Sequence, residues 1–292
     1  MLWFKRRSSM RLLKGLCAVV LSITTATSSA SVFDTAMLSD FALFAGASGH
    51  SAQAGYLGFG SESDVHGNVA ARNPEFGAGS HIHGYAAGMH SVLGDSVQLD
   101  GGWQQWQEHQ FSELNQQLLR LSQQLEALGG EQTSLQSLHG YHGSGGLNVF
   151  QLNPVLMAHQ TVEIYGSGDD IFVFNVADYF LMDGGGILLH GINPNKVFFN
   201  FHRYNTADEY SHLAAANIGT SNIQGNWLAP NMLFQIGDGA TLESTRVWAG
   251  AMQLNIQTFI PPPAEQPTPV PAPATLILML LGLPVLLWRL KQ

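Results

Sequence analysis

Between Phe111 and Leu128 the chain reads FSELNQQLLRLSQQLEAL, with apolar residues at Phe111, Leu114, Leu118, Leu121, Leu125 and Leu128. Steps of three and four put these side chains on one stripe of an α-helix, with Gln, Ser and Glu on the other faces. Gly129-Gly130 then supplies a stop. The stripe covers about two and a half heptads, short for an independent coiled coil. It predicts one amphipathic helix, about residues 104–128, lying along a β body, with Trp103 and Trp106 anchoring its entry.

After the helix the short-period signal of β-strands takes over. It marks Leu147–Leu152, Thr161–Tyr165, Ile171–Val176, Gly186–Ile192, Val197–Phe201, Asn222–Leu228 and Arg246–Phe259, separated by Gly, Asn, Pro and Asp. Asn within DIFVFNV and KVFFNFH is expected to point inward and bond its copy on a neighbouring coil, a structural role. Before the helix, SDVHGNVAA (63–71) and SHIHGYAAG (80–88) align at an offset of 17, and SVQLDGG (96–102) reads as a degenerate third copy. A short period with glycine corners suits a parallel β-solenoid, in which stacked coils share one core. Hairpins in a sandwich are the competing reading. The fold expected is mainly β, a right-handed parallel β-solenoid over residues 31–260 with one long helix packed along it.

Composition changes the picture at the two ends. Lys5, Arg6, Arg7, Arg11 and Lys14 precede the apolar run from Gly15 to Ile23, and small residues follow. This reads as a secretory signal peptide, residues 1–30, with cleavage expected between Ala30 and Ser31, whether translation starts at Met1 or Met10; an uncut N-terminal anchor is the competing reading. The lone cysteine, Cys17, lies inside it, so the exported chain has no disulfide, no Cys-ligated metal and no Cys nucleophile. Between the ends, five Lys/Arg face 21 Asp/Glu, a formal charge of −16. Such a surface repels nucleic acid and anionic lipid.

Residues 261–273 form a Pro-rich linker, a polyproline II spacer. The 15 residues from Ala274 to Trp288 are apolar and Arg289 and Lys291 follow. As a helix they reach roughly 22 Å, short of a hydrocarbon core of about 30 Å. Val270, Pro271, Pro273, Ala274 and Thr275, the short transmembrane segment and the basic end resemble a PEP-CTERM sorting signal (270–292). Ala272 stands where that family has Glu. The resemblance implies recognition by an exosortase, a membrane protease-transpeptidase, with transient association with the inner membrane. It also implies delivery to the cell surface or extracellular matrix of a Gram-negative bacterium.

The body resembles the choice-of-anchor A family of surface adhesins. The carrying stretches are SDVHGNVAA, DIFVFNV, NPNKVFFNFH (193–202), IQGNWLAPN (223–231) and TRVWAGAM (245–252). The Asn200-Phe201 pair, Gly225 and the Ala229-Pro230-Asn231 turn are the most specific. That family is in turn similar to bacterial ice-binding solenoids.

Candidate chemistry is sparse. His81-x-His83 sets two rings on one side of a strand, a start for a metal site. No nearby carboxylate pair in the sequence supplies a third ligand, so the reading is of repeat histidines. His139-x-x-His142 sits in a glycine loop. Asp169-Asp170 lacks the alternating oxygen ligands of a calcium loop. No nucleophile elbow, His-Glu-x-x-His or glycosidase signature occurs, and no catalytic, cofactor or metal residue is assigned. The leading expectation is an exported, non-enzymatic surface or matrix adhesin that binds exopolysaccharide or other cell-surface components in a biofilm. A secreted polysaccharide-active enzyme is the alternative. An ice-binding protein ranks third, because the body has no Thr-x-Thr ranks.

Overall fold

A computed structural model describes residues 33–48, 53–90, 92–203, 206 and 210–263. The predicted cleavage point, Ala30-Ser31, and the sorting-signal residues Val270, Pro271, Pro273, Ala274, Thr275, Arg289 and Lys291 lie outside them. Phe33–Glu265 is one compact unit. Among the described residues no helix is long and apolar enough to cross a membrane.

The unit is a parallel β-solenoid of 20 strands with one long helix. Its strands stack coil on coil into three walls. Inward positions alternate with outward ones, so each coil feeds a shared lumen. One inward column runs Phe150, Phe174, Phe199, Trp227, Val247, Leu43, Val69, Ala86 and Trp103, each in register with the next. Phe174, Phe199 and Trp227 stack at 4.6 and 4.2 Å between ring centroids. Volume falls from Phe and Trp to Val and Ala along this column, and the coils shorten with it. Equivalent positions are 17 residues apart at Val69, Ala86 and Trp103; small side chains fill the narrow lumen at the first two, and Trp103 ends the column with a large one.

The stack does not follow chain order. Leu43 pairs with Val247 on one side and Val69 on the other. The N-terminal coils therefore sit on top of the last C-terminal coil. The chain runs outward through these coils to Trp103–Gln105 and then returns along the stack as the helix, Glu108–Glu126. This is why one long helix is needed: it carries the chain back to Glu131–Thr133, which starts the second set of coils by pairing with Leu147–Leu152.

The helix begins later than the pattern suggests, because residues 103–105 are strand. Gln107 N–H donates to Gln110 Oε1 at 2.8 Å, one arm of a capping box. Glu108 in the first turn pairs with buried Arg72. The stripe Phe111, Leu114, Leu118, Leu121 and Leu125 is buried against Phe41, Phe44, Val173, Phe198, Leu228 and Trp248. Leu128 lies past the helix end and is 38% exposed. Trp106 packs on Phe41 and Phe111 and does anchor the entry. Trp103 faces the lumen instead.

Three predicted strands have the observed bounds: Leu147–Leu152, Ile171–Val176 and Val197–Phe201. Others continue around solenoid corners. Thr161–Tyr165 belongs to Val155–Tyr165; of the predicted Asn222–Leu228 only residues 225–228 are in Gly225–Glu243, and Asn222 forms an isolated bridge with Gly186. The Ala229-Pro230-Asn231 segment is a corner of the latter, with Asn231 at φ 57°. Asn175 and Asn200 do pair across coils, at 2.8 Å. They face the helix and not the lumen: Asn175 donates to Leu125 O and Asn200 to Ser122 O, both at 2.9 Å. The buried amides thus fasten the helix to the wall it covers.

Candidate functional site

With one wall covered by the helix, the other two walls have no helix over them among the described residues. On the first, which we term the amide wall, an outward column runs Leu156, Leu181, Asn217, Gln235, Gln253, Gly58, Glu75 and Val92. Eight rungs at about 4.8 Å give a strip roughly 34 Å long. Leu156 is 70% exposed, and Leu181, Asn217, Gln253, Glu75 and Val92 are also exposed. Gln235 donates its amide N–H to Gln253 Oε1 at 3.2 Å. Gly58 leaves room for the Tyr56 ring, whose hydroxyl donates to Glu75 at 3.0 Å. One carboxylate serves the whole column.

The second open wall, the histidine wall, carries the ionisable groups. Three short strands, Asp64–Val65, His81–Ile82 and Gln98–Leu99, stack at the narrow end with no insertion between copies. Val65 and Ile82 point inward and are buried. Their flanking residues point outward and form two columns, Asp64, His81, Gln98 and His66, His83, Asp100. A glycine follows each member of the second column. At Gly84 an added Cβ would lie 2.5 Å from Gly67 C, and at Gly101 2.8 Å from Gly84 C. Only glycine lets the corners nest this closely.

Offsets of 17 therefore bring together side chains that look scattered in sequence. His83 Nε2 lies 2.8 Å from Asp64 Oδ1, and its Nδ1 lies 3.3 Å from Asp100 Oδ2. His66 Nε2 lies 3.3 Å from Asp64 Oδ2, and His81 Nε2 2.9 Å from Asp100 Oδ1. The His66 and His83 rings stack at 4.1 Å, and those of His81 and His83 approach to 3.9 Å. The hydrogen bond with His81 holds the Asp100 carboxyl below its ordinary range, against a smaller opposing effect of desolvation. The expectation that His81 and His83 lack carboxylate neighbours is corrected here. The signal was present in the third repeat, where Asp100 occupies the position of His83.

The other candidates separate. His142 stacks on Tyr165, which stacks on His190, at 5.0 and 4.6 Å. His139 Nδ1 accepts from Glu163 N–H, so the two histidines do not converge on one point. Asp170 is 2% exposed. It accepts from Ser167 N–H and Oγ, the Gly145 and Gly146 N–H groups and Asn148 Nδ2. Ser167 first, then the glycines, holds its carboxyl well below the usual carboxylate range. These donors occupy the oxygens that a calcium ion would need. Asp169 points away, with Lys196 Nζ 4.0 Å from it.

Residues 22–256 match the model of a family described as "Putative Ice-binding-like adhesive domain". The chain belongs to this family. One solved structure agrees in fold, and a second is similar. A domain of Shewanella frigidimarina ice-binding protein 1 superposes with TM-score 0.52 at 12% identity, over 78% of this chain and 96% of that one. An ice-binding protein from Antarctomyces psychrotrophicus gives 0.48 at 15%, over 78% and 97%. No curated protein matches the chain. Neither the choice-of-anchor A assignment nor the PEP-CTERM tail is among these matches.

Proposed function

We propose that this chain is an adhesive binding module, without catalytic activity, that holds its carrier to an extended hydrated surface through the amide wall. Membership of an ice-binding-like adhesive family supports the adhesive part of this reading. The observation that directs it to one wall is the outward column of eight residues with a single carboxylate. A row of amides and exposed leucines makes many weak contacts with hydroxyl groups and the apolar faces of sugar rings. Summed over a rigid row, such contacts give avidity without a deep pocket. Exopolysaccharide is the surface of that chemistry.

Ice is the second reading. It is favoured by the family description and by neighbours of the same fold that are ice-binding proteins. Against it stands the side-chain set, since Asn217, Gln235 and Gln253 are flexible amides where a rank of threonines would be expected. Retention of the full chain on the producer's exopolysaccharide, and arrest of growing ice crystals by the same preparation, separate the two. Gln235→Glu with Gln253→Glu should abolish whichever activity belongs to the amide wall. Retention unchanged by this double variant sinks the assignment.

An exported chain would meet such a target outside the cell. The basic-then-apolar start and the tail at 270–292 fit a chain that crosses the inner membrane and is then cut by an exosortase. Intact mass of the exported protein should begin near Ser31 and lack Arg289 and Lys291. A mass that retains both in exosortase-competent cells rules out tail removal.

A further inference from the structure

We propose that the histidine wall is a binding site for one divalent transition-metal ion of the zinc, cobalt or nickel class, held by Asp64, His66 and His83. This is independent of whether the amide wall binds a polymer. Asp64, His66 and His83 offer three ligand atoms that all lie within 4.8 Å of one another. Ligands at about 2.0–2.1 Å around a tetrahedral ion sit roughly 3.3 Å apart. The observed separations are on that scale, 2.8 Å from His83 Nε2 to Asp64 Oδ1 and 3.3 Å from His66 Nε2 to Asp64 Oδ2, so the two histidines flank the two oxygens of one carboxylate. Two imidazoles and one carboxylate suit zinc-like ions and not calcium or magnesium, which favour all-oxygen shells. Three protein ligands leave the fourth position to water or to an oxygen of a partner molecule.

The second observation is the position of His83. Its Nε2 faces one carboxylate and its Nδ1 faces another. A neutral imidazole has one N–H, so it can donate to only one of them. A cation shared between His83 Nε2 and Asp64 removes the conflict. Nδ1–H then donates to Asp100, which also accepts from His81. A carboxylate behind a ligating histidine is the usual outer support of a metal site, fixing the tautomer and the ring. Asp100 is therefore a positioning residue. A second set, His81, His83 and Asp100, shares His83 with the first. In this assignment it supplies the outer support.

The backbone makes the arrangement rigid. Asp64 and His81 are in register, Val65 and Ile82 are locked in the lumen, and Gly67 and Gly84 nest at the corner. The ligands thus come from consecutive rungs of a sheet and not from a loop, so the backbone is already in place and only rotation of the stacked His66 and His83 rings is needed to aim both nitrogens at one ion.

The test uses the full chain, purified in mild detergent and stripped with a chelator. Calorimetric titration with zinc should show one saturable ion per chain, and cobalt should give the visible absorption of a tetrahedral nitrogen and oxygen shell. His83→Ala and Asp64→Ala should each abolish both signals. His66→Ala should weaken binding and change the cobalt spectrum. Asp100→Asn should keep the spectrum but weaken binding about 10- to 100-fold. All of these side chains are partly exposed, so circular dichroism melts should stay superimposable, which separates loss of the site from loss of the fold. The proposal is overturned if zinc binding survives His83→Ala, or if Asp100→Asn or His81→Ala abolishes it while His66→Ala has no effect.

Discussion

Across the amide wall, eight stacked outward positions hold one carboxylate; across the narrow end of the histidine wall, six stacked positions hold five ionisable side chains. Both walls belong to the same coils and share one lumen. In the 17-residue coils, Val65 and Ile82 fill the inside whatever their neighbours carry outward. The comparison teaches that in this fold inward positions specify structure and outward positions are free to specify chemistry. Alternation along a strand separates the two tasks residue by residue. One wall can then present a long row with a single carboxylate while another concentrates ligands at a point.

The sharpest way to break this separation is to damage what both walls share. Phe199 sits in the aromatic column between Phe174 and Trp227 and is fully buried. Phe199→Ala should cost about 3–5 kcal/mol. A melt followed by circular dichroism should fall clearly, and amide-wall retention and zinc binding should be lost at the same temperature. Loss of one before the other would show that the walls unfold independently. Leu121→Ala, on the helix stripe, should cost about 2–5 kcal/mol, whereas Gln123→Ala should do little. Equal, negligible effects would mean that the helix is detached from its wall.

The next effect concerns an ionised group that belongs to structure and not to either site. Buried Asp170 accepts hydrogen bonds from the backbone of Ser167, Gly145 and Gly146, so it is charged at neutral pH. Its folded pKa is lowered from 3.8. The stabilisation is therefore present above about pH 4 and is lost as pH falls below it. Asp170→Asn should cost about 1.5–3 kcal/mol at pH 7. The gap between wild-type and variant melting temperatures should close progressively below pH 4. A gap independent of pH would show that shape, not charge, is what the pocket of donors requires.

How much of this was legible in the chain follows from the same separation. Inward periodicity is local, so Leu147–Leu152, Ile171–Val176, Val197–Phe201 and the stripe Phe111 to Leu125 could be read directly. The 17-residue offset was legible too, because copies without insertions keep their register. What local pattern does not contain is the order of stacking. Leu43 beside Val247 joins residues from opposite ends of the body, and nothing near either one specifies that pairing. Strand ends at corners were also missed, since Val155–Tyr165 turns through His159 at φ 54° without leaving the sheet. The histidine site was hidden for a different reason. Its ligands are spaced by the coil and not by a strand or helix, and only the alignment of three copies in columns brings Asp64 and Asp100 to His83.

The smallest stability effect carries the most specific claim. Outward residues on a solvated wall should contribute little to folding, and exposed ion pairs contribute about 0–1 kcal/mol. His83→Ala should therefore leave the metal-free melting temperature nearly unchanged. Added zinc should raise the wild-type melting temperature in proportion to the logarithm of its free concentration, because only the folded stack assembles the ligands. The variant should lack that rise, while its retention through the amide wall, measured in chelator, stays equal to wild type. A fall in retention in His83→Ala would mean that the two walls are coupled. The division between inward structure and outward chemistry would then fail for this protein.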